Sequence, residues 1–168
     1  MKRILMIAVA MLPLVLMAQA RIGIVNSQQL FDLMPEKATA ETQLKALSDR
    51  YHAEYQLLQG EFDKKYADYQ TVAADASMPE AIKERRIQEL QESDKKMREF
   101  ERRAAKDIAV QRVALTKPIT DKIQAAIRAA SEQGGFDLVF DSAVTPVAYT
   151  GPNTVDITPM VKTLLGLE

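Results

Sequence analysis

The chain contains no cysteine and only one histidine, His52. Disulfides, thiolate metal sites and a cysteine nucleophile are therefore excluded. A Gly-rich loop of the kind that follows a strand and cradles a nucleotide phosphate is also missing. Carboxylates are numerous, but they are scattered along charged helical stretches, which is the distribution that solubility alone produces. These absences argue against an enzyme, and the sequence predicts neither a cofactor nor a metal site.

The first 20 residues have the order of a secretory signal. Two basic residues precede an apolar run from Ile4 to Met17, and Ala18-Gln19-Ala20 supplies the small residues of a cleavage site. The run is short for a bilayer span and contains Pro13, which favours a cleaved signal over the alternative of an uncleaved membrane anchor. No cysteine follows the run, so lipid attachment of the lipoprotein kind is excluded. We expect an exported chain that is cleaved after Ala20.

The chain without its signal is mildly acidic. It keeps 20 of the 22 basic residues and all 23 acidic ones, so its net charge is 20 − 23 = −3. This balance argues against a nucleic-acid partner bound through net charge. If about half of the remaining residues lie in a projecting hairpin, the rest is too small to bury a good core alone. Oligomerisation is therefore expected.

A stripe of large apolar residues predicts one long helix. Nine of them repeat every eleven residues with internal steps of three and four: Leu44, Leu47, Tyr51, Tyr55, Leu58, Phe62, Tyr66, Tyr69 and Ala73. These steps put them on one helix face, and the repeat implies about 3.67 residues per turn with a weak right-handed drift. A helix of about 40 residues spans roughly 60 Å, which is too long for this chain to wrap. We predict that it projects and packs against a partner helix.

The partner is predicted to be a returning helix that starts beyond a turn near residues 75–79. Ser77 and Glu80 fit a capping box there. The returning apolar positions are expected to include Ile82, Ile87, Leu90, Met97 and Phe100. The nine basic and seven acidic residues between positions 80 and 106 indicate a solvated helix face. The alternative is a role for the arginines in meeting acidic partners or lipid head groups, and these are Arg85, Arg86, Arg102 and Arg103.

The two ends of the chain predict a small β body. Residues 22–25 are expected to form a strand that ends at the N-cap pair Asn26-Ser27, and Gly134-Gly135 is expected to end the long return helix. Residues 136–140 predict a second strand, and residues 146–149 a third strand antiparallel to it. Thr158-Pro159 should begin a last short helix. Three short strands leave open edges, which another chain is expected to cover.

The predicted fold class is therefore α+β, with a long antiparallel helical hairpin that projects from a small β body. The body comprises residues 21–34 and 116–168, and the hairpin comprises residues 35–115. Pro118 is expected to kink the return helix where hairpin and body meet, and it is a hinge candidate. Gly60 near the middle of the descending helix is a hinge candidate, with a neutral accident as the alternative.

Two stretches carry a resemblance to a known family: IGIVNSQQLFDLMPEKATAETQL at residues 22–44, and KPITDKIQAAIRAASEQGGFDLVFDSAVTPVAY with DITPMVKTLL near the end. In these the chain resembles the Skp/OmpH family of periplasmic chaperones. The resemblance implies a homotrimer whose strands close a small β-barrel and whose hairpins surround a cavity as tentacles. It also implies an ATP-independent holdase for unfolded outer-membrane proteins. The better-known members tend to be basic, so no lipopolysaccharide site is carried over and membrane contact stays open.

Candidate residues follow for two surfaces. The candidates for client contact are Tyr51, Tyr55, Phe62, Tyr66, Tyr69, Met78 and Met97, although the aromatic stripe is also what a seam between two helices requires. The candidates for the trimer body are Ile22, Ile24, Val25, Leu138, Val139, Phe140, Val147 and Tyr149. The alternative function is a structural or adaptor coiled coil of the cell envelope that has no client-holding activity. Strict heptads and a polar seam would favour the adaptor, whereas loose eleven-residue spacing would favour the chaperone.

Overall fold

The computed structural model describes residues 20–167, so all of the predicted signal except Ala20 lies outside the described residues. Seven elements follow in order: β1 (Ile22–Val25), α1 (Ser27–Leu33), α2 (Pro35–Ala74), α3 (Glu80–Gly134), β2 (Leu138–Asp141), β3 (Thr154–Asp156) and α4 (Thr158–Leu165). The α2 and α3 helices form the long antiparallel hairpin. The short elements gather at its open end, so the chain has the predicted α+β fold.

The sheet has the strand order β2-β1-β3, and both pairings are parallel. Ile22 at the start of β1 is aligned with Leu138 on one side and with Thr154 on the other. Two predictions were therefore wrong: residues 146–149 form no strand, and no antiparallel pair involves β2. Both edges of β1 are already occupied within this chain, so the 146–149 segment has no central edge to pair with.

Local signals at most helix ends act as predicted. The Asn26 side chain accepts a 2.9 Å hydrogen bond from the Gln29 amide and so caps α1. Pro35 occupies the first turn of α2, and Gly135 ends α3 in the left-handed conformation with φ 60°. The capping box was wrong. The N-cap of α3 is Pro79, without a side-chain bond, and Ser77 instead donates its amide to Asp75 Oδ1 at 2.8 Å.

Pro118 lies inside α3 and does not end it, because the helix runs on to Gly134. The residues after Pro118 carry the helix into the body, where Ile119 and Ile123 are buried. One continuous helix therefore belongs to both parts of the molecule, its first two thirds to the hairpin and its last third to the body.

The hydrophobic core lies at the open end of the hairpin. Its buried members are Val25, Leu30, Met34, Ala40, Ile119, Ile123, Ala126, Ala130, Ile157 and Val161. Along α2 only Ala40 is buried, and in the hairpin part of α3 only Ser93, Phe100 and Ala104 are. The hairpin is therefore held by a thin seam and not by a core of its own.

Candidate functional site

The outer part of the hairpin seam follows heptads, whereas Leu44, Leu47 and Tyr51 nearer the body keep the predicted eleven-residue spacing to Tyr55, Leu58 and Phe62. The half-buried side chains of α2 beyond Arg50 are separated by alternating steps of four and three: Tyr51, Tyr55, Leu58, Phe62, Lys65, Tyr69 and Val72. Such spacing averages 3.5 residues per turn, which is the spacing of left-handed coiled coils. The predicted eleven-residue repeat was wrong only beyond Phe62, where Lys65 and Val72 take the places assigned to Tyr66 and Ala73.

The opposite side of the seam on α3 has the same spacing. Its half-buried and buried positions at these steps are Lys83, Arg86, Leu90, Ser93, Met97, Phe100, Ala104 and Asp107. Ile82 and Ile87, which were expected in this stripe, are exposed instead. They precede or follow a seam position by one residue, so about 100° of helix rotation turns them out of the contact. Four of the eight seam side chains on α3 are polar or charged: Lys83, Arg86, Ser93 and Asp107.

Both the ring and the hydroxyl of Tyr51 contact residues of α3 in the seam. The phenol donates a 2.6 Å hydrogen bond to the Asp107 carboxylate, and the ring packs edge-on against Phe100 with 5.9 Å between centroids. The hydrogen bond to Asp107 raises the pKa of Tyr51, since the carboxylate stabilises the protonated phenol. The Glu101 carboxylate raises the pKa of Tyr55 in the same direction. These two tyrosines hold the helices together.

The aromatic residues farther along the arm are more open. Phe62 is half-buried, and its ring stacks on that of Tyr66 with an interplanar angle of 7° and 6.4 Å between centroids. Tyr66 lies on the outer side of this pair with 47% of its surface exposed. Next to the pair, Lys65 donates a 2.6 Å hydrogen bond to Ser93 across the seam. The structure therefore divides the aromatic candidates into a seam group and one exposed ring, Tyr66.

The two methionine candidates are half-buried. Met97 is a seam position on α3, and Met78 lies in the turn between the helices. Met78 donates its amide to the Asp75 carbonyl at 3.2 Å, within the turn that Asp75 and Ser77 organise. Burial of Met78 is greater than its place at the tip of the hairpin suggested. Gly60 lies in the middle of α2 with no atom within 4 Å of an added Cβ.

The charged outer faces of the hairpin are organised mainly within each helix. Glu89 receives hydrogen bonds from both Arg86 and Arg85, and the bond from Arg86 is the larger cause of the lowered pKa of Glu89. Two ion pairs cross between the helices, Lys96 with Glu61 at 3.7 Å in the arm and Lys122 with Glu36 at its base. Arg102 and Arg103 are exposed. This arrangement is that of a solvated face with i,i+3 and i,i+4 pairs.

The sheet presents an apolar face to solvent. Val25 and Val139 point into the chain's own core, whereas Leu138 and Phe140 are exposed, Leu138 over 50% of its surface. The half-buried Ile22 and Ile24 share their face, since they are the residues aligned with them across the parallel pair. Val147 and Tyr149 lie in the irregular segment between β2 and β3, and Tyr149 is 83% exposed.

The described residues show little else that could form a site. Between positions 20 and 167 no three histidine, cysteine, aspartate or glutamate side chains are grouped to bind a metal ion. His52 is exposed and contacts only Gln56 among polar side chains of this region, at 3.1 Å. None of the described helices is both long and apolar enough to cross a bilayer. Shallow grooves flank Leu44 at the base of the hairpin, the largest of about 400 Å³ between Leu47, Arg50 and Leu115.

The chain is similar to known proteins in both sequence and fold. The family model for outer membrane protein (OmpH-like) matches residues 21–165. Among solved structures, the chain is similar to a crystal structure of a candidate outer membrane chaperone (OmpH-like) from Caulobacter crescentus CB15. The TM-score is 0.65 at 14% identity, over 88% of this chain and 85% of the other. No curated protein matches.

Proposed function

Because the chain belongs to the family of OmpH-like outer membrane proteins, we propose that it is an ATP-independent holdase chaperone of the periplasm. The exported and cleaved chain forms a homotrimer, and unfolded outer-membrane proteins are held in a cavity between the three hairpins. The observation that carries this proposal is an arm of about 60 Å whose exposed apolar side chains outside the seam are few and scattered among polar and charged residues.

The exposed apolar side chains of the hairpin suit weak and repeated contact. They are Leu57, Tyr66, Ile82, Ile87, Val110 and Val113. They are spread over both helices, and only Val110 and Val113, three residues apart, share a helix face, so each site offers a small contact. An unfolded barrel protein exposes many alternating apolar side chains, and three arms on one body raise the effective concentration of each further contact. The surrounding charges keep the loaded assembly soluble.

The body supplies the reason for a trimer. Its exposed sheet face carries Leu138 and Phe140, and the outer edges of β2 and β3 are unpaired within the described chain. Open edges and exposed apolar faces are liabilities unless another chain covers them. The segment 146–149 has a strand-like sequence but no partner here, so we expect it to form a strand against the edge of a sister subunit. Closure of the three sheets into a barrel is part of this proposal.

The heptad spacing favours a second candidate, the structural or adaptor coiled coil. Regular heptads with polar seam residues such as Lys65, Ser93 and Asp107 specify the register of paired helices. An adaptor would use this hairpin as a rigid spacer and would not bind unfolded chains. The two candidates differ in one measurable property, which is affinity for a denatured client.

Light scattering from a urea-denatured outer-membrane barrel protein, diluted into buffer without nucleotide, tests the holdase. The expected result is suppression of aggregation at a molar excess of trimer. Scattering equal to that of the client alone would exclude the holdase and leave the adaptor.

A mass measurement in solution tests the trimer. The wild-type chain is expected at three times its monomer mass, and Leu138→Glu on the exposed sheet face is expected to give monomers. Leu164→Glu on α4 is the matched control, since Leu164 is also an exposed leucine of the body. A trimer that survives Leu138→Glu unchanged would contradict the proposed interface.

A further inference from the structure

Arg21, the residue before β1, is fastened to the corner between α3 and β2 by four contacts. Its backbone N–H donates a 2.8 Å hydrogen bond to Asp137 Oδ2, and its carbonyl accepts one of 3.0 Å from the Asp137 amide. Its guanidinium donates to the Gly134 carbonyl and lies 4.6 Å from the centroid of the Phe136 ring. The backbone nitrogen of Arg21, which donates to Asp137, is the atom that would become the new N-terminal amine if a signal peptidase cleaved after Ala20.

The predicted signal ends at Ala20, so cleavage would change the chemistry of the nitrogen that faces Asp137. Water adds across the Ala20–Arg21 peptide bond, leaving a carboxylate on Ala20 and an amine on Arg21 that takes up a proton at neutral pH. Both residues are exposed, so the bond is accessible to a protease. The neutral amide donor thereby becomes an α-ammonium group already placed 2.8 Å from a carboxylate oxygen.

We propose that removal of the signal after Ala20 is a folding switch, in which the new α-ammonium of Arg21 pairs with Asp137 and locks β1 into the sheet. The proposal rests on the export and cleavage that belong to the proposed function. A charge-assisted hydrogen bond is stronger than the neutral bond it replaces. The unprocessed chain keeps only the neutral bond, so its sheet is held less firmly until the signal has been removed.

The position of Arg21 extends the effect beyond one strand. β1 is the central strand and pairs with both β2 and β3. The Arg21–Asp137 contact lies directly before the first aligned pair, Ile22 with Leu138. Whatever holds the start of β1 therefore holds the register of the whole sheet, including the face that we assign to the trimer.

The test compares chains that begin at Arg21, released from a cleavable tag, with chains that carry Ala20 and a preceding Gly. Each is made with Asp137 and with Asp137→Asn, and Asp63→Asn on the exposed side of α2 is the matched control. In the chain that begins at Arg21, we expect the terminal amine to become reactive towards an acylating reagent at a pH about half a unit higher than in its Asp137→Asn variant. At one fixed protein concentration, we also expect the two-residue extension to lower the melting temperature by about 2 °C, and expect Asp137→Asn to remove this difference.

Equal reactivity of the amine in the wild-type chain and in the Asp137→Asn variant, or an extension effect that persists in Asp137→Asn, would overturn the switch. Because every chain is made with a defined first residue, neither readout depends on client binding or on cleavage in the cell. If the chain suppresses client aggregation but Asp137→Asn changes neither amine reactivity nor melting temperature, only the proposed switch is excluded. If Asp137→Asn changes the reactivity of the terminal amine but the chain does not suppress client aggregation, only the proposed holdase function is excluded.

Discussion

The phenol of Tyr51 on α2 donates a 2.6 Å hydrogen bond to the carboxylate of Asp107 on α3, although 56 positions of sequence separate the two residues. This bond joins the helices at the half of the hairpin nearer the body. Tyr51, which the sequence offered as a client contact, therefore stabilises the packing of the two helices instead. Several expected outcomes depend on whether a side chain lies in this seam or outside it.

Tyr51→Phe is expected to lower the free energy of unfolding by about 1 kcal/mol, because it removes the hydroxyl and leaves the Asp107 carboxylate without that donor. Urea denaturation at fixed protein concentration measures this. Tyr69→Phe is the control, since Tyr69 is also half-buried but its phenol makes no hydrogen bond to residues 20–167. Client binding should be the same for both variants, and a larger loss of stability in Tyr69→Phe would contradict the assignment.

Alkaline pH is expected to loosen the hairpin. The Asp107 and Glu101 carboxylates raise the pKa of Tyr51 and of Tyr55, respectively, above the unfolded value of about 10. A raised folded pKa gives stabilisation that is full below the unfolded pKa and is lost as pH rises through the folded pKa. Ultraviolet absorbance of tyrosinate should therefore show a late-titrating fraction that shrinks in Tyr51→Phe. An unchanged late fraction would show that Tyr51 is not its source.

Gly60→Ala is expected to stabilise the chain by about 1 kcal/mol, because alanine favours a helix interior and an added Cβ would meet no atom within 4 Å. Thermal unfolding measures the gain, and Ala53→Gly at an exposed position of the same helix is the reverse control. The two interpretations of Gly60 differ in client capture: a hinge predicts weaker suppression of aggregation in Gly60→Ala, and a neutral accident predicts no change. A loss of stability in Gly60→Ala would contradict the open surroundings of this residue.

Gly134→Ala is expected to destabilise the body by about 1–3 kcal/mol. A Cβ at this position would lie 2.3 Å from Phe136 Cε2, so the ring would have to move out of its contact with Arg21. Gly151→Ala is the matched control in the same body, since the nearest atom to its added Cβ is 3.9 Å away. Equal melting temperatures for the two variants would show that the Phe136 ring adjusts without cost.

The double variant Leu57→Gln/Tyr66→Gln is expected to weaken client capture about threefold and to change the melting temperature little. Both side chains lie outside the seam, Leu57 with 71% of its surface exposed, so their loss removes contact area for a client and not for α3. The amount of chaperone that halves client light scattering measures the effect. Ala53→Gln is the control on the same helix, and equal potency of control and double variant would exclude these two residues as contacts.

The sequence predicted the seam group incompletely because an eleven-residue and a seven-residue repeat coincide over one short stretch. From Tyr51 to Phe62 both repeats choose the same four residues. They differ before this stretch at Leu47, which the eleven-residue repeat places correctly, and after it at Lys65 and Val72, which the seven-residue repeat places correctly. Apolar character favoured Tyr66 as the seam residue. In the structure Lys65 is half-buried in the seam instead, and its ammonium group donates a hydrogen bond to the Ser93 hydroxyl. The polar seam on α3, with Ser93 and Asp107, had no signal that hydrophobicity could detect.

Strand pairing was the other limit of the sequence. The pattern at residues 146–149 predicted a strand from its composition, but a strand forms only where the fold brings a segment alongside a partner edge. Within this chain β1 is paired on both sides by β2 and by β3, the latter starting at Thr154. Which edge is free depends on the whole fold.

The sequence alone determined the two long helices, the turn between them and most of the helix ends, because periodicity, an N-cap at Asn26 and a glycine at position 135 act through neighbours in the chain. Only the tertiary structure decided the heptad seam and the parallel order of the strands. These depend on pairs such as Tyr51 with Asp107 and Ile22 with Leu138, which are distant in sequence and come into contact only when the whole chain has folded.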